Sequence, residues 1–186
     1  MLEGKRVVLR EFRTEDVDEI QKWVNNPHIK RYLGFGLFPQ SYEESKLFVE
    51  TQLLKKNSPR EGIFVIALKE DPQRQYIGSV GLHRIDYRNR HAVLGIVIGR
   101  EDLLDQGIGR EAIDLLLGYA FDYLNLNKVN LGLKDFNLRA YHCYLKAGFK
   151  EEGRVRMAFY QEGSYCDEIL MGITRDEYYA LKKFAR

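Results

Sequence analysis

The segment Asn137-Leu138-Arg139-Ala140-Tyr141-His142-Cys143-Tyr144-Leu145-Lys146-Ala147-Gly148-Phe149 reads as a helix running to Ala147 and stopped at Gly148. Glycine ends helices well because it enters the left-handed conformation without a Cβ penalty. Seven residues are almost two helical turns, so Asn137 and Tyr144 share one face about 10 Å apart. Such a pair can hold an extended ligand at one point and present a phenol at a second. The competing reading packs Tyr144 into the core with Tyr141.

Thirty residues upstream, Leu104-Asp105-Gln106-Gly107-Ile108-Gly109 precedes a strongly amphipathic run. Ala112, Ile113, Leu116, Leu117, Ala120, Phe121 and Leu124 recur at three- and four-residue steps, the signature of a helix with one buried face. A glycine turn entering a helix bares backbone N–H groups at the positive end of the helix dipole, which suits a phosphate or pyrophosphate. Gly107 and Gly109 serve equally well in a plain tight turn. A dinucleotide fingerprint fits poorly, since its third glycine is Ala112, and no Gly-Lys-Ser/Thr follows to make a P-loop.

Outward from these two segments the periodicity changes. Gly62 to Lys69, Gln75 to Tyr87 and His91 to Gly99 are Val/Ile/Leu-rich runs between turn residues and predict an antiparallel meander. Arg6 to Phe12 and Lys128 to Lys134 are further strands, as are Phe149 to Tyr160 and Tyr165 to Ile173, which are joined at Gln161-Glu162-Gly163-Ser164. Thr14 is placed as the cap of a helix to about Asn26, and His28 to Gln40 as a loop or short helix. Ser41-Tyr42-Glu43-Glu44 and Thr174-Arg175-Asp176-Glu177 are capping boxes; they open helices to roughly Lys56 and to the end of the chain. The order predicts an α+β fold, one sheet covered by helices, with residues 1–186 forming a single domain.

Composition narrows the function. Of 186 residues, 45% are hydrophobic and 30% charged, which excludes a disordered or fibrous chain. Lys and Arg number 29 against 27 Asp and Glu, so charge gives no case for a nucleic-acid or membrane partner. No apolar run approaches ~20 residues, and the charged opening Met1 to Arg6 lacks the apolar core of a signal peptide. Cys143 and Cys166 form no CxxC pair, and the four histidines show no metal-ligand spacing, so a cytoplasmic protein with reduced thiols and no metal is expected.

Taken together, the two segments resemble the GNAT superfamily of acyl-CoA-dependent N-acetyltransferases, in its spermidine and ribosomal-protein branch. The family's cofactor loop, roughly Gln/Arg-x-x-Gly-x-Gly/Ala, lines up with Leu104 to Gly109. Its later motif, Asn-x-x-Ala-x-x-x-Tyr-x-Lys-x-Gly-Phe, matches at every fixed position from Asn137 to Phe149. The tail from Glu152 to Tyr160, with Gly163 and Asp167 to Gly172, is similar to the same branch. The resemblance implies a single mixed, mostly antiparallel sheet with a splayed central strand and helices on both faces.

It also implies acetyl-CoA as co-substrate. Main-chain groups of Ile96, Val97 and Ile98 would pair with its pantetheine arm. Asp105, Gln106, Gly107, Ile108, Gly109 and Arg110 would hold the pyrophosphate, Asn137 would bond the arm, and Tyr144 would protonate the leaving thiolate. The acceptor is expected to be a primary amine attacking directly, with a polyamine or other small amine favoured over the amino terminus of a protein. One departure stands out: many relatives carry a glutamate base in Ala-Glu-Leu-Gly, and here the stretch is Ala92-Val93-Leu94-Gly95. Glu101, Asp102, His83 or a water chain are the candidate substitutes. Val93 also leaves open an acyl-CoA-binding regulatory domain with little catalysis. Tyr32, Phe35, Phe38 and Tyr42 are expected to shape the acceptor pocket or to pack as a lid. Glu43, Glu44, Glu162, Asp167 and Glu168 are expected either to attract a cationic amine or to be solvated surface. A symmetric homodimer through edge strands near the carboxyl end is expected for the assembly.

Overall fold

Alternating apolar residues between Gly62 and Ile98 build the centre of the sheet. In the computed structural model, which describes residues 1–34, 38–54 and 61–184, they form β3 (Gly62–Leu68), β4 (Gly78–Asp86) and β5 (His91–Ile98), paired antiparallel. Before them lie β1 (Leu2–Glu3), β2 (Val7–Arg10), α1 (Asp16–Gln21), α2 (Pro27–Lys30) and α3 (Tyr42–Leu54). After them come α4 (Ile108–Gly118), β6 (Lys128–Lys134), α5 (Leu138–Lys146), β7 (Lys150–Gln161), β8 (Ser164–Thr174) and α6 (Arg175–Phe184). One sheet of eight strands results, in the order β1-β2-β3-β4-β5-β6-β8-β7. Among the described residues only β5 and β6 run parallel, so the expected mixed and mostly antiparallel sheet is what forms.

Strand alternation divides the core in two. Ile66, Val80, Leu82 and Leu94 face α4, whose Ile113, Leu116 and Leu117 are buried against them. Each such side chain contributes roughly 1.5–3 kcal/mol of transfer free energy. On the other face Val65 packs with Phe12, Val17, Ile20, Trp23 and Val49, under α1 and α3. Helices therefore cover both faces.

Several boundaries depart from the sequence reading. The helix expected from Thr14 to about Asn26 is broken. Glu15 is its N-cap and makes no side-chain cap, and α1 has six residues. Turns follow, and the chain restarts at α2, where Asn26 Oδ1 accepts the His28 N–H at 2.9 Å and Pro27 takes the first position. Proline suits that position because its missing N–H is not needed there. The strand from Arg6 shortens to Val7–Arg10, buried at all four residues, and the Gln75 run enters the sheet only at Gly78. β1 carried no signal in two residues. The helix expected through Leu124 keeps α geometry to Gly118, then widens into a π turn over Tyr119–Tyr123. Both capping boxes form: Ser41 N–H reaches Glu44 Oε2 at 2.7 Å, and Thr174 N–H reaches Glu177 Oε2 at 2.9 Å. Phe35 and the expected helix end at Lys56 lie outside the described residues.

Candidate active site

Strands β5 and β6 are joined over three residues only, His91 to Val93 opposite Lys128 to Asn130. Beyond Val93, β5 continues to Ile98 paired with β4, while β6 continues to Lys134 paired with β8. The two strands part, and at about 3.3 Å per residue the open edge of β5 runs for roughly 15 Å. A cavity of about 980 Å³ passes through this gap. Ile96, Val97 and Ile98 line it along the open edge.

At one end of the cavity lies the glycine loop. Asp105 and Gly107 take φ of 59° and 82°, both left-handed, which turns the chain sharply into α4. Gly107 is the N-cap and supplies no side chain, so the first N–H groups of α4 have no cap. A Cβ on Gly109 would meet only Ile96 Cδ1, at 3.9 Å, so the backbone there is bare toward the cavity. Asp105, Gly107, Ile108, Gly109 and Arg110 all line it. Gln106 does not. Its Nε2 donates to Asp102 O at 2.6 Å, and its carbonyl accepts Arg6 Nη1 at 2.9 Å. Arg6 and Val7 N–H also reach Glu111 Oε1, at 2.9 and 3.2 Å, so the loop is pinned to β2 by contacts that span about a hundred residues. The Asp105 carboxylate is exposed and turned toward Arg139, at 3.9 Å.

The second segment forms the opposite wall. Asn137 is the N-cap of α5 rather than its first helical residue, and its Oδ1 accepts Ala140 N–H at 3.3 Å. The residue lines the cavity. Tyr144 is 8% exposed and lines the cavity, with its ring edge-on to Phe149 at 5.9 Å. Burial pushes its phenol well above the ordinary range, so it stays protonated. Cys143 is also raised by burial, which makes its thiol a poor nucleophile. No metal-ligating cluster of His, Cys, Asp or Glu occurs among the described residues.

The mouth is aromatic and cationic. Arg31 stands over Tyr32 and Phe136 at 5.6 Å each, and Arg139 over Tyr32 at 5.7 Å. Of the aromatics proposed for this pocket, Tyr32 lines it. Phe38 is exposed, and Tyr42 donates instead to Asp18. Of the carboxylates, Glu44 closes a cap, Glu162 pairs with Arg31, and Asp167 accepts Met157 N–H.

A sheet parted along one open strand edge, with a bare glycine loop at one end and a buried phenol on the wall, defines an acyltransferase domain. The chain belongs to the acetyltransferase (GNAT) domain family, whose model matches residues 6–150. It is 32% identical to the spermidine N(1)-acetyltransferase of Vibrio cholerae over 94% of this chain and 96% of that one. It is 31% identical to the Escherichia coli K12 enzyme of the same name, over 95% and 90%. A structure of the Vibrio cholerae spermidine N-acetyltransferase in complex with CoA and spermine superposes with a TM-score of 0.81 at 30% identity, covering 95% of this chain and 99% of that one. The protein is thus a GNAT-type N-acetyltransferase with acetyl-CoA as co-substrate. The bare loop and open strand edge fit a pyrophosphate and an amide-bearing arm. No helix among the described residues is long and apolar enough to cross a membrane.

Proposed function

We propose that residues 1–186 act as one catalytic domain, transferring the acetyl group of acetyl-CoA directly to a small primary amine, with polyamines the favoured acceptors. The observation that carries this is the parted edge of β5 facing Tyr144 across one cavity. Main-chain groups of Ile96 to Ile98 pair with the pantetheine arm as a strand would, and the loop from Asp105 to Arg110 holds the pyrophosphate through N–H groups. Asn137 donates its amide to the arm. The amine attacks the thioester carbon, a backbone N–H of β5 stabilises the oxyanion, and Tyr144 gives its proton to the departing sulfur.

The polyamine preference is supported by the activity named for the similar Vibrio cholerae and Escherichia coli proteins. One observation favours a second reading, the amino terminus of a polypeptide. Arg31 and Lys134 lie beside the mouth, where cations suit peptide carbonyls better than the further ammonium groups of a polyamine. Thiol release from acetyl-CoA across spermidine, spermine, amino-acid amides and short Ala- or Ser-starting peptides separates the two. Preference for the peptides removes the polyamine assignment. In the favoured acceptor's assay, Tyr144→Phe is expected to lower kcat by roughly 10²-fold or more while CoA still binds. Unchanged turnover removes Tyr144 as the proton donor, and CoA binding without thiol release from the wild type would return the chain to a binding role. The expected homodimer would use β7, the outer strand on the carboxyl side of the sheet. Sedimentation at a mass of one chain removes it.

A further inference from the structure

Gly95 has no side chain, and the space over it is filled from the neighbouring strand. A Cβ there would lie 3.1 Å from His83 Nε2 and 3.3 Å from His83 Cδ2. His83 pairs in register with Val93, the position at which the usual glutamate is missing. Val80 and Leu82 face α4, so alternation sends His83 to the opposite face of the sheet. Tyr144 belongs to the core on the α4 face. Because the gap opens just past Val93, His83 and Tyr144 line one cavity from the two faces. Immediately after His83 the register with β5 slips, and Arg84 takes φ +50°. Bulges of this kind re-aim side chains beside active sites.

Charged side chains flank the gap on the face of the sheet that carries His83. On the far bank of the gap, a Cβ on Gly132 would run into the Glu168 carboxylate, which therefore lies over β6. Lys134, next on the same face of β6, is drawn away: its Nζ donates to Arg31 O and Gln161 Oε1, each at 2.8 Å. Arg31 is paired with Glu162 at 3.3 Å. From β5 the neighbours are Val93 and Gly95, which carry no charge; on the other side of β4, where Gly62 pairs with Leu82, the register brings Glu61 beside His83. A carboxylate at that register position has the sign that stabilises the imidazolium created by proton uptake.

Resting on the transfer reading above, we infer that His83 Nε2 is the group that takes the proton from the acceptor amine. The amine enters in its neutral form; its lone pair forms the C–N bond as the carbonyl π pair moves to oxygen, and the surplus proton on nitrogen passes to Nε2. The C–S bond then breaks with its electron pair on sulfur, and the sulfur takes the Tyr144 proton. The imidazolium gives its proton to water, and the tyrosinate recovers one from water, which restores both groups.

The test compares wild type with His83→Gln, His83→Ala and Gly95→Ala, reading thiol release against pH, with CoA binding as the check on folding. His83→Gln is expected to lower kcat/KM by roughly 10²-fold and to abolish the acid limb of the profile. Free imidazole is expected to restore part of the His83→Ala rate. Gly95→Ala, which crowds Nε2, is expected to lower kcat with CoA affinity kept. An acid limb unchanged in His83→Gln overturns the assignment, as does a rate within about threefold of wild type. A wild type that releases no thiol with any amine sinks the transfer reading itself, an outcome distinct from an active wild type matched by its variants.

Discussion

Arg10 and Asp16 are 3% and 2% exposed, and every polar atom they bury is answered. Arg10 Nη1 and Nη2 reach the two Asp16 oxygens at 2.9 and 2.6 Å, and its Nε donates to Arg74 O at 2.8 Å. Arg13 N–H adds a third bond to the same carboxylate at 2.7 Å. Breaking such a pair strands a buried guanidinium, so Asp16→Asn is expected to cost about 3–5 kcal/mol in urea unfolding. A loss below about 1 kcal/mol would show that the pair is dispensable. At this scale legibility was uneven. Ser41 and Glu44 are three apart, so their reciprocal bonds can be read from spacing alone. Arg10 with Asp16, or His83 over Gly95, depends on where strands and helices meet, and residue order carries no mark of that. Asn137 was found in the right place with the wrong detail, because a cap and a first-turn residue share one spacing.

At the scale of elements, α6 begins on a carboxylate in demanding surroundings. Lys150 and the Thr174 N–H hold the Glu177 carboxyl at about 2, below its ordinary 4.5. Its folded value is depressed, so the stabilisation is complete above about 4.5 and fades as pH falls toward about 2. Glu177→Gln is therefore expected to destabilise by about 1 kcal/mol at neutral pH, the side chain being partly exposed. That difference should close in thermal melts taken toward pH 2; a gap of constant size across the range would contradict the cap. Periodicity gave the meander and α4 because burial on one face writes itself into residue order. It overran Gly118, since apolar three- and four-step spacing continues while Leu124 N–H reaches back five residues to Tyr119 O. The break near Asn26 was half visible in Asn-Pro and masked by Val and Trp residues that pack from turns as well as from helix.

At the scale of the whole molecule, the single mixed sheet with its splayed strand was legible only through the family resemblance, and the order of strands was not legible at all. Nothing local says that Lys128–Lys134 inserts between β5 and β8. The gap was expected for the same reason, and the three-residue junction beside it is its measure. CoA seated in the gap should stabilise the fold by mass action: at a hundredfold excess over Kd about 2.7 kcal/mol, a rise in Tm of roughly 5–10 °C. Amide exchange should slow most along Leu94 to Ile98 and Leu131 to Lys134. A Tm that rises with no local protection there would place the ligand elsewhere.

That junction has a mechanical meaning as well. Five strands on one side and three on the other are stitched together by the rungs from His91 to Val93, so the sheet is two plates sharing a short seam. Pulled across the seam, the empty protein should shear at lower force than the loaded one, with CoA acting as the rivet.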